Sequence, residues 1–553
     1  MPQPYVIIPA NGSEPAEEWI RLGVEAQLAN KFADAERHYR HALRLSPRHA
    51  VATQNLAVVF AQVGQLNEGL LAIERAAIFD GVQPIIHTNR AFMCLEADRL
   101  DEALEAARYA VSISPNGNGE LKPEEVHGYL GSRLALAMIS ATAGLPDQAI
   151  PLYSEILDKD PKHPVAAPNS CFVLTLTPAT PTALLKQRQR WYEANKYTGE
   201  KRPHDNDRNP NRIIRIGYVG GDFKRHSAAM IFGGTVLGHD KSKISTYLYS
   251  SLPVDPNADD VTKRFMVVAG ENWRDISAMN DADADALVRK DRIDILVDLA
   301  AHTNGGRLPL FCRKPAPIQV TAWGFAHGTG IPEIDYFLAD QLAVPEDERQ
   351  HYAEKIIDLP CIVSYLPPIE YNLKGKSQAP QGANDFITFG SYARYEKLSD
   401  RCLATFAEIL RGVPESRLEF KDHAFRRPYS IRRVLAAMPD IAPERILFSI
   451  STPHPDHLLS YQQADVCLDP FPHGGGVVAM EQLWMGVPVC TLYGTQPSGR
   501  TAASVLTLMG RKDWVARTPE EYVEVAVRMA GDAEVRKARK TLRDEFLNCP
   551  AVK

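Results

Sequence analysis

The pattern of apolar and polar positions divides the chain into two regions of different character. Up to about residue 165, small and apolar residues recur at a fixed long period, whereas beyond residue 212 short apolar runs alternate with helical stretches. Alternation of this kind predicts βαβ units and mostly parallel sheets. The pattern predicts strands at 213–219, 245–250, 293–299, 386–390, 417–421, 446–449 and 466–468, and helices at 228–237, 282–290 and 398–410.

The first 165 residues repeat with a period of 34. The period appears in three sets of equivalent positions: Ala35, Gly69 and Ala103; Ala42, Ala76 and Ala110; Pro47, Gly81 and Pro115. This period and these residue types are those of tetratricopeptide repeats, in which small residues let two antiparallel helices approach and proline closes each unit. A fourth copy ends at Pro161, after an insertion of 12 residues at 116–127. The sequence therefore predicts about four helix pairs.

Two asparagines occupy equivalent places in successive repeats. Asn55 and Asn89 are 34 residues apart, so stacked repeats would place one above the other. An asparagine ladder on the concave wall can hydrogen-bond the backbone of an extended peptide. The alternative is that the two asparagines coincide by chance or tie adjacent repeats together, since Arg21 and Ala135 stand at the equivalent places in the first and fourth repeats.

The predicted architecture is an α/β fold with an all-α N-terminal part. Residues 16–163 form a superhelix of tetratricopeptide repeats, and 164–211 form a linker with one helical stretch at 183–197. Two Rossmann-like lobes follow at 212–380 and 381–553. Ligands of such lobes bind in the crevice at the carboxyl ends of the strands.

Composition and charge narrow the class of partners. The 553 residues carry 62 Lys and Arg against 68 Asp and Glu, a net charge of −6, which gives no broad attraction to nucleic acid or an anionic membrane. The eight cysteines are scattered without metal-ligand spacing. With neither a signal-peptide pattern nor an apolar run of about 18 residues, we expect a cytoplasmic protein that does not cross a membrane.

The segment 461–492 predicts a seat for a diphosphate. An apolar strand ending at Asp469 is followed by Gly474-Gly475-Gly476, which lets a ligand approach the backbone closely. A helix starting at about Val477 would point free N–H groups at an anion, with Glu481 in its second turn within reach of a ribose. The alternative is a tight turn in an ordinary α/β domain.

Five motifs, in order behind the repeats, resemble the O-GlcNAc transferase family. They are GYVGGDFKRH (217–226), DLAAHTNGGR (298–307), KPAPIQVTAWGFAHGTG (314–330), ADVCLDP (464–470) and MEQLWMGVPVCTL (480–492). The resemblance implies two Rossmann-like lobes of the GT-B type and transfer of N-acetylglucosamine, with inversion, from UDP-N-acetylglucosamine to serine or threonine hydroxyls of proteins. We expect acceptor proteins to be held along the repeat groove. With a helix end and Arg394 available to neutralise the leaving group, we expect neither a cofactor nor a metal.

The resemblance also assigns catalytic residues. His226 falls on the family's histidine, which is either the general base or a residue that positions substrate. In the segment 389–394, Arg394 aligns with the family's lysine, which stabilises the leaving diphosphate. A guanidinium is not equivalent to an ammonium in a tightly fitted site. Ser391 stands where the family offers a glutamine to the donor.

The remaining donor contacts are carried over with several departures. Thr452, His454 and His457 match a loop that holds uracil and phosphate, with His454 replacing a common lysine. Backbone donors from Gly475, Gly476, Val477 and Val478 are expected to bind phosphate, but Gly476-Val477-Val478 replaces a histidine and two threonines. Glu481 replaces an aspartate.

The other wall of the site, near sugar and acceptor, is expected to include His302 and the stretch from Gln319 to Gly330, although a structural role for His302 is equally consistent. The acids Asp281, Asp283 and Asp285 open a predicted helix, where they favour the helix dipole without a metal. Two alternatives remain: a non-catalytic repeat scaffold with a degenerate nucleotide lobe, or a transferase using another UDP-sugar or acceptor.

Overall fold

The computed structural model describes residues 5–10, 12, 14–117, 121–257, 259–371, 373 and 386–552. The chain forms two compact units. One comprises Met1–Ala166 with Arg426–Ser430, and the other comprises Ala167–Phe425 with Ile431–Lys553. The predicted boundary between the two lobes, at 380/381, lies outside the described residues.

The first unit contains the four predicted helix pairs. Small residues stand where the helices approach: a Cβ added to Gly69 would lie 3.0 Å from the carbonyl oxygen of Ala57, and one added to Gly23 would lie 2.5 Å from the ring of Tyr39. The helices are α1 Pro15–Leu28, α2 Phe32–Leu45, α3 Ala50–Gln62, α4 Leu66–Phe79, α5 Pro84–Glu96, α6 Leu100–Ile113, α7 Pro123–Thr142 and α8 Pro146–Lys159.

The predicted linker is more ordered than the sequence indicated. It contains two helices, α9 Ala166–Leu174 and α10 Pro181–Asn195, of which only the second was predicted. The buried Trp191 ring of α10 packs edge-on against His302, with ring centroids 5.2 Å apart. Helix α10 is therefore part of the second unit and packs against the loop after β4.

The second unit contains two parallel sheets. The first has the order β3-β2-β1-β4-β5-β6-β7, and the second has the order β10-β9-β8-β11-β12-β13. Both begin with the 3-2-1-4-5-6 order of doubly wound nucleotide-binding folds. The strands are β1 Ile214–Gly220, β2 Ile244–Ser250, β3 Trp273–Asp275, β4 Ile295–Asp298, β5 Ile318–Thr321, β6 Tyr336–Ala339, β7 Lys355–Asp358, β8 Ile387–Ser391, β9 Ser416–Lys421, β10 Ile446–Ser449, β11 Val466–Leu468, β12 Val489–Leu492 and β13 Val515–Ala516.

Helices pack on these sheets through apolar side chains that form the buried core of the second unit. They are α11 Ser227–Leu237, α12 Asp260–Ala269, α13 Asp281–Lys290, α14 Leu308–Phe311, α15 Asp400–Gly412, α16 Pro428–Ala436, α17 His454–Ser460, α18 Gly476–Trp484, α19 Thr501–Leu508, α20 Pro519–Gly531, α21 Ala533–Ala538 and α22 Leu542–Leu547.

The acidic run at the start of α13 is structural. Asn280 caps the helix by accepting hydrogen bonds from the N–H groups of Ala282 and Asp283, each at 2.9 Å. Asp281 pairs with Arg307 at 2.7 Å, and Asp285 pairs with Arg289 at 2.7 Å. The arginine partners and the position at the start of the helix account for Asp281 and Asp285.

Strand order fixes where each lobe can hold a ligand. The order reverses between β1 and β4 in the first sheet and between β8 and β11 in the second. Loops that leave these strands at their carboxyl ends diverge and open a crevice. The carboxyl ends of β8 and β11 are Ser391 and Leu468, and those of β1 and β4 are Gly220 and Asp298.

Candidate functional site

The glycine-rich loop after β11 wraps around the carboxylate of Asp469. One carboxylate oxygen accepts from the N–H of Gly475 at 2.6 Å, and the other accepts from the hydroxyl of Thr491 at 2.8 Å. A Cβ on Gly475 would lie 2.7 Å from Asp469 Oδ1, and one on Gly474 would lie 2.9 Å from Oδ2, whereas a Cβ on Gly476 would meet open space. The first two glycines are thus needed for the loop's shape, and Gly476 leaves its surroundings clear.

Helix α18 begins at Gly476, close to the predicted start. Within the described residues, the N–H groups of Gly476, Val477 and Val478 have no hydrogen-bond partner, because the first helical bond is donated by Ala479 to Gly475. Free N–H groups and the positive end of the helix dipole favour an anion at this place. The two valine side chains are partly buried against the core and supply no polar contact.

A lysine that the sequence analysis did not single out contacts this loop. Lys397 ends a short 3-10 turn after β8, and its Nζ donates to the carbonyl of Gly474 at 2.6 Å. Burial, reinforced by the charge of Arg394, lowers the pKa of Lys397, while the carboxylate of Asp469 opposes this shift. This bond places the ammonium beside the predicted diphosphate seat.

Arg394, assigned to this role from the sequence, lies three residues earlier and is exposed. Its guanidinium stands 5.6 Å from the centre of the Phe172 ring, and its charge acts on both Lys397 and His473. It is near the site but makes no hydrogen bond to the glycine loop among the described residues. Among the described residues, the cation that bonds to the glycine loop is Lys397, and the assignment of Arg394 to the leaving diphosphate stays a prediction.

Glu481 lies in the second turn of α18, as predicted, but it is buried and bonded to protein. One oxygen lies 2.8 Å from Nε2 of His454, and the other accepts from the hydroxyl of Tyr461 at 2.7 Å. Since Tyr461 gives its proton to Glu481, it accepts from Nε2 of His457 at 2.9 Å. The acid thus fixes both histidines of α17, and any ribose contact must share the remaining lone pairs.

The segment before α17 is held by a second lysine. Lys421, at the carboxyl end of β9, donates to the hydroxyl of Thr452 at 3.1 Å. Burial lowers the pKa of Lys421, and burial also lowers the pKa of His457 despite the opposing charge of Glu481. This cation was missed because a single lysine at a strand end has no distinctive sequence signal.

Ser391 ends β8 at the point where the strand order reverses. It is 2% exposed, and its Oγ has no hydrogen-bond partner among the described residues. A buried hydroxyl without a partner is costly, so this atom is suited to bind a ligand.

In the first lobe, His226 caps α11. Its Nδ1 lies 3.3 Å from the backbone nitrogen of Ala228 and 3.4 Å from Oδ2 of Asp222, and the side chain is 47% exposed. Helix α11 packs against α18, so the N-terminal helix of one lobe meets the phosphate-seat helix of the other. Which ring nitrogen carries the proton depends on whether Ala228 or Asp222 is the partner of Nδ1.

His302 follows β4 and is fully enclosed. Its Nε2 donates to the carbonyl of Thr329 at 2.9 Å, Nδ1 has no partner among the described residues, and burial lowers its pKa to about 4. His327, on the next loop, is buried with both ring nitrogens unpartnered in the same described set, and burial lowers its pKa strongly. Both imidazoles are therefore neutral and buried in the loops after β4 and β5, where the wall near the sugar is expected.

Gln319 does not belong to that wall. It lies near the start of β5, opposite the carboxyl end, and its amide donates to the carbonyls of Phe311 at 3.0 Å and Glu333 at 2.9 Å. Strand position, which the motif alone did not resolve, places it away from the crevice.

His473, inside the loop itself, was also missed. Its Nδ1 lies 3.0 Å from the hydroxyl of Thr175, which donates to the carbonyl of Phe172 and so accepts from the imidazole. Burial, Lys397 and His327 all lower the pKa of His473. The histidine is therefore neutral and lies among the cations of the site.

In the repeats, Asn55 and Asn89 are both fully buried. Each binds the backbone of an extended segment near the start of the chain. Asn55 bonds to Ile8, and Asn89 bonds to Val6. The asparagines bind peptide backbone rather than each other.

Comparison with known proteins gives the family. The profile of Glycosyl transferase family 41 matches residues 193–363 and 373–547, more than half of the chain. The chain belongs to glycosyl transferase family 41. It is 33% identical over 354 residues to the Petunia hybrida protein named "Probable UDP-N-acetylglucosamine--peptide N-acetylglucosaminyltransferase SPINDLY", an alignment that covers 63% of this chain and 37% of that protein.

Further relatives agree with this placement. The Arabidopsis thaliana SPINDLY protein is 34% identical over 354 residues, covering 63% of this chain and 38% of its own. A mutant of the Thermobaculum terrenum O-GlcNAc transferase has the same fold, with a TM-score of 0.73, 25% identity, and coverage of 98% of this chain and 96% of that one. The family 41 chain therefore has two Rossmann-like lobes of the GT-B type behind its helical repeats. It aligns with less than two fifths of the plant relatives' length.

Two further observations bear on the family 41 chain. None of the helices in the described ranges combines the length and apolar character needed to span a bilayer. The described residues also contain no group of three His, Cys, Asp or Glu side chains placed to hold a metal ion.

Proposed function

We propose that the chain is an inverting glycosyltransferase that moves N-acetylglucosamine from UDP-N-acetylglucosamine to serine or threonine hydroxyls of proteins. The observation that carries the proposal is that Lys397 bonds to Gly474, two residues before α18 begins, and that the first three N–H groups of α18 have no partner among the described residues. Helix end and cation together match a diphosphate leaving group. Membership of family 41 and the printed names of the relatives support the same donor and acceptor.

The donor would lie along the carboxyl edge of the second sheet. Its phosphates would accept from Gly476, Val477 and Val478, with Lys397 neutralising the charge that develops on UDP. The uracil and ribose of the donor would lie toward Ser391 and toward the two histidines, His454 and His457, that Glu481 orients. This arrangement relies on backbone rather than side-chain hydroxyls, which makes the choice of nucleotide sugar the first point to test.

The reaction would be a single displacement. The acceptor oxygen forms a bond to the anomeric carbon as the bond between that carbon and the β-phosphate oxygen breaks, and its electron pair leaves with UDP. The hydroxyl proton passes to a base. His226 can serve when its Nδ1–H is donated to Asp222, because Nε2 then has a free lone pair. Neutral His302 and His327 would line the wall beside the sugar.

We further propose that the enzyme needs no divalent cation and that acceptor proteins are recognised along the repeats. Charge neutralisation by Lys397 and α18 replaces the role that a metal has in other transferases. Transfer that is unchanged in excess EDTA would support metal independence, and full restoration by Mg²⁺ or Mn²⁺ after EDTA would overturn it.

The experiment that tests the function is titration calorimetry with UDP followed by a donor panel. We expect saturable UDP binding, and release of nucleotide from UDP-N-acetylglucosamine in preference to UDP-glucose, UDP-galactose and GDP-linked sugars. Absence of UDP binding at millimolar concentration would favour the non-catalytic scaffold. Release from a different donor would retain the enzyme and reassign its sugar, an outcome that the Gly476-Val477-Val478 sequence makes worth measuring.

A further inference from the structure

Residues Tyr5–Ala10 lie in extended form against helices α3 and α5 and bind the asparagine pair through their backbone. The side chain of Asn55 accepts from the N–H of Ile8 at 3.0 Å and donates to its carbonyl at 2.8 Å. Asn89 accepts from the N–H of Val6 at 2.9 Å and donates to its carbonyl at 2.7 Å. Each amide therefore satisfies both backbone groups of one residue.

The spacing of the two contacts matches an extended chain. Asn55 and Asn89 are one repeat apart, while the residues they bind are two apart, which is the repeat length of a β-strand at about 6.6 Å. Ile7, between them, is skipped. Pro9 restricts Ile8 to extended conformations, so the segment is favoured in the form that the asparagines accept.

Other contacts hold the segment without using all the polar groups around it. Gln54 donates to the carbonyl of Val6 at 3.2 Å, Ile8 is 4% exposed, and the Tyr5 hydroxyl donates to Glu96. Among the described residues, Gln54 Oε1 and Thr88 Oγ1 are buried without a hydrogen-bond partner. A peptide that satisfied these two atoms would bind better than the segment does.

We propose that Tyr5–Ala10 is a resident occupant of the asparagine pair, and that it competes with any other extended peptide for this face of the repeats. The groups of Val6 and Ile8 that the asparagines bind are the backbone N–H and C=O that every non-proline residue carries, so these contacts do not distinguish the chain's own segment from another peptide. The claim of occupancy stands on the contacts alone. Its consequence for transfer, that the segment competes with acceptor proteins, rests on the proposed function.

A tethered occupant competes strongly. A short connection gives the segment a millimolar effective concentration. The apparent affinity for a free peptide is then the intrinsic affinity multiplied by the fraction of time for which the site is open. Acceptors would then have to bind elsewhere on the protein as well, or match the site better than the segment. The resident segment would thus limit modification to proteins whose affinity for the enzyme is high enough to displace it.

The test uses a fluorescein-labelled hexapeptide with the sequence of residues 5–10 and measures fluorescence polarisation. The proteins are the full chain, a chain lacking residues 1–10, and full chains with Ile8→Pro or Ile7→Pro. Proline at position 8 removes the N–H that Asn55 accepts, whereas proline at position 7 removes an N–H that neither asparagine uses. Thermal unfolding of each variant identifies any that do not fold, and the Ile8→Pro chain retains the test if the truncated chain fails.

We expect the truncated and Ile8→Pro chains to bind the probe at least about tenfold more tightly than the full and Ile7→Pro chains. In the truncated chain, the double substitution Asn55→Ala and Asn89→Ala should abolish binding of the probe. A probe with proline at the Ile8 position should not bind to the truncated chain. Equal binding by the full and truncated chains, or binding that survives loss of both asparagines, would overturn the proposal. The probe contains no serine or threonine and the assay contains no donor, so a failure of the proposed transferase activity would leave this result intact.

Discussion

Nζ of Lys397 lies 2.6 Å from the carbonyl oxygen of Gly474, and this hydrogen bond joins the turn after β8 to the glycine-rich loop after β11. The two strands are neighbours at the point where the strand order of the second sheet reverses. The contact therefore places a cation beside the free N–H groups of α18. It is the basis for the role that we assign to Lys397 in releasing UDP.

Replacing Lys397 with Met should lower kcat/KM for transfer by about 10²- to 10³-fold, the usual cost of losing a preorganised charge contact in a transition state. Arg394→Met is the matched control, because it removes a nearby exposed cation that does not touch the loop, and its effect should stay within about tenfold. A larger loss with Arg394→Met than with Lys397→Met would restore the assignment made from the sequence.

The affinity for UDP should depend on pH through Lys397. Burial lowers the pKa of this ammonium below its ordinary value of about 10.4, so the charged form is present at low pH and is lost at a lower pH than for an exposed lysine. Calorimetry between pH 6.5 and 9.5 should show weaker UDP binding as pH rises. Lys397→Arg should flatten the profile because arginine stays charged. A wild-type affinity that is constant to pH 9.5 would contradict this role.

Gly475→Ala and Gly476→Ala form a matched pair in the loop. The first places a Cβ 2.7 Å from Asp469 Oδ1 and should destabilise the protein by about 1–3 kcal/mol, whereas the second enters open space and should leave the free energy of unfolding nearly unchanged. UDP binding should weaken in both variants. In Gly475→Ala the loop is distorted, and in Gly476→Ala the new methyl group would stand where phosphate approaches. Denaturant unfolding and calorimetry check the two effects. Normal UDP affinity in Gly476→Ala would place the phosphates elsewhere.

His226→Ala should lower the rate of transfer by about 10²- to 10⁴-fold while sparing UDP affinity, because the imidazole acts on the acceptor side. Asp222→Asn should give a smaller loss of the transfer rate, since Asp222 Oδ2 lies 3.4 Å from the ring and helps to orient it. Initial rates and calorimetry separate the two effects. Retained transfer in His226→Ala would exclude this residue as the base.

Much of the fold could be predicted from residue patterns. The period of 34 predicted the helix pairs, and the alternation of apolar runs predicted β10 and β11 with their observed bounds. These elements depend on local periodicity, which is written in the sequence. Helix α9, Ala166–Leu174, was not predicted, because its apolar composition gives no helical stripe.

The site was predicted less completely. The glycine loop was predicted because glycine, strand and helix signals are adjacent in the sequence. The asparagines were singled out because they occupy equivalent positions one repeat apart. Lys397 was missed because a 3-10 turn, Tyr395–Lys397, returns it to the loop while Arg394 points out. The bonds of Glu481 to His454 and Tyr461 depend on tertiary packing, as do the contacts of Tyr5–Ala10, and no local pattern indicates them.

The most direct test of the central claim is incubation of the chain with UDP-N-acetylglucosamine and a protein extract, with peptide mass spectrometry of the products. The account predicts an added N-acetylhexosamine on serine or threonine of extract proteins, stoichiometric release of UDP, and loss of both with Lys397→Met. Release of UDP with the sugar found only free or on lipid, and none on protein, would contradict it.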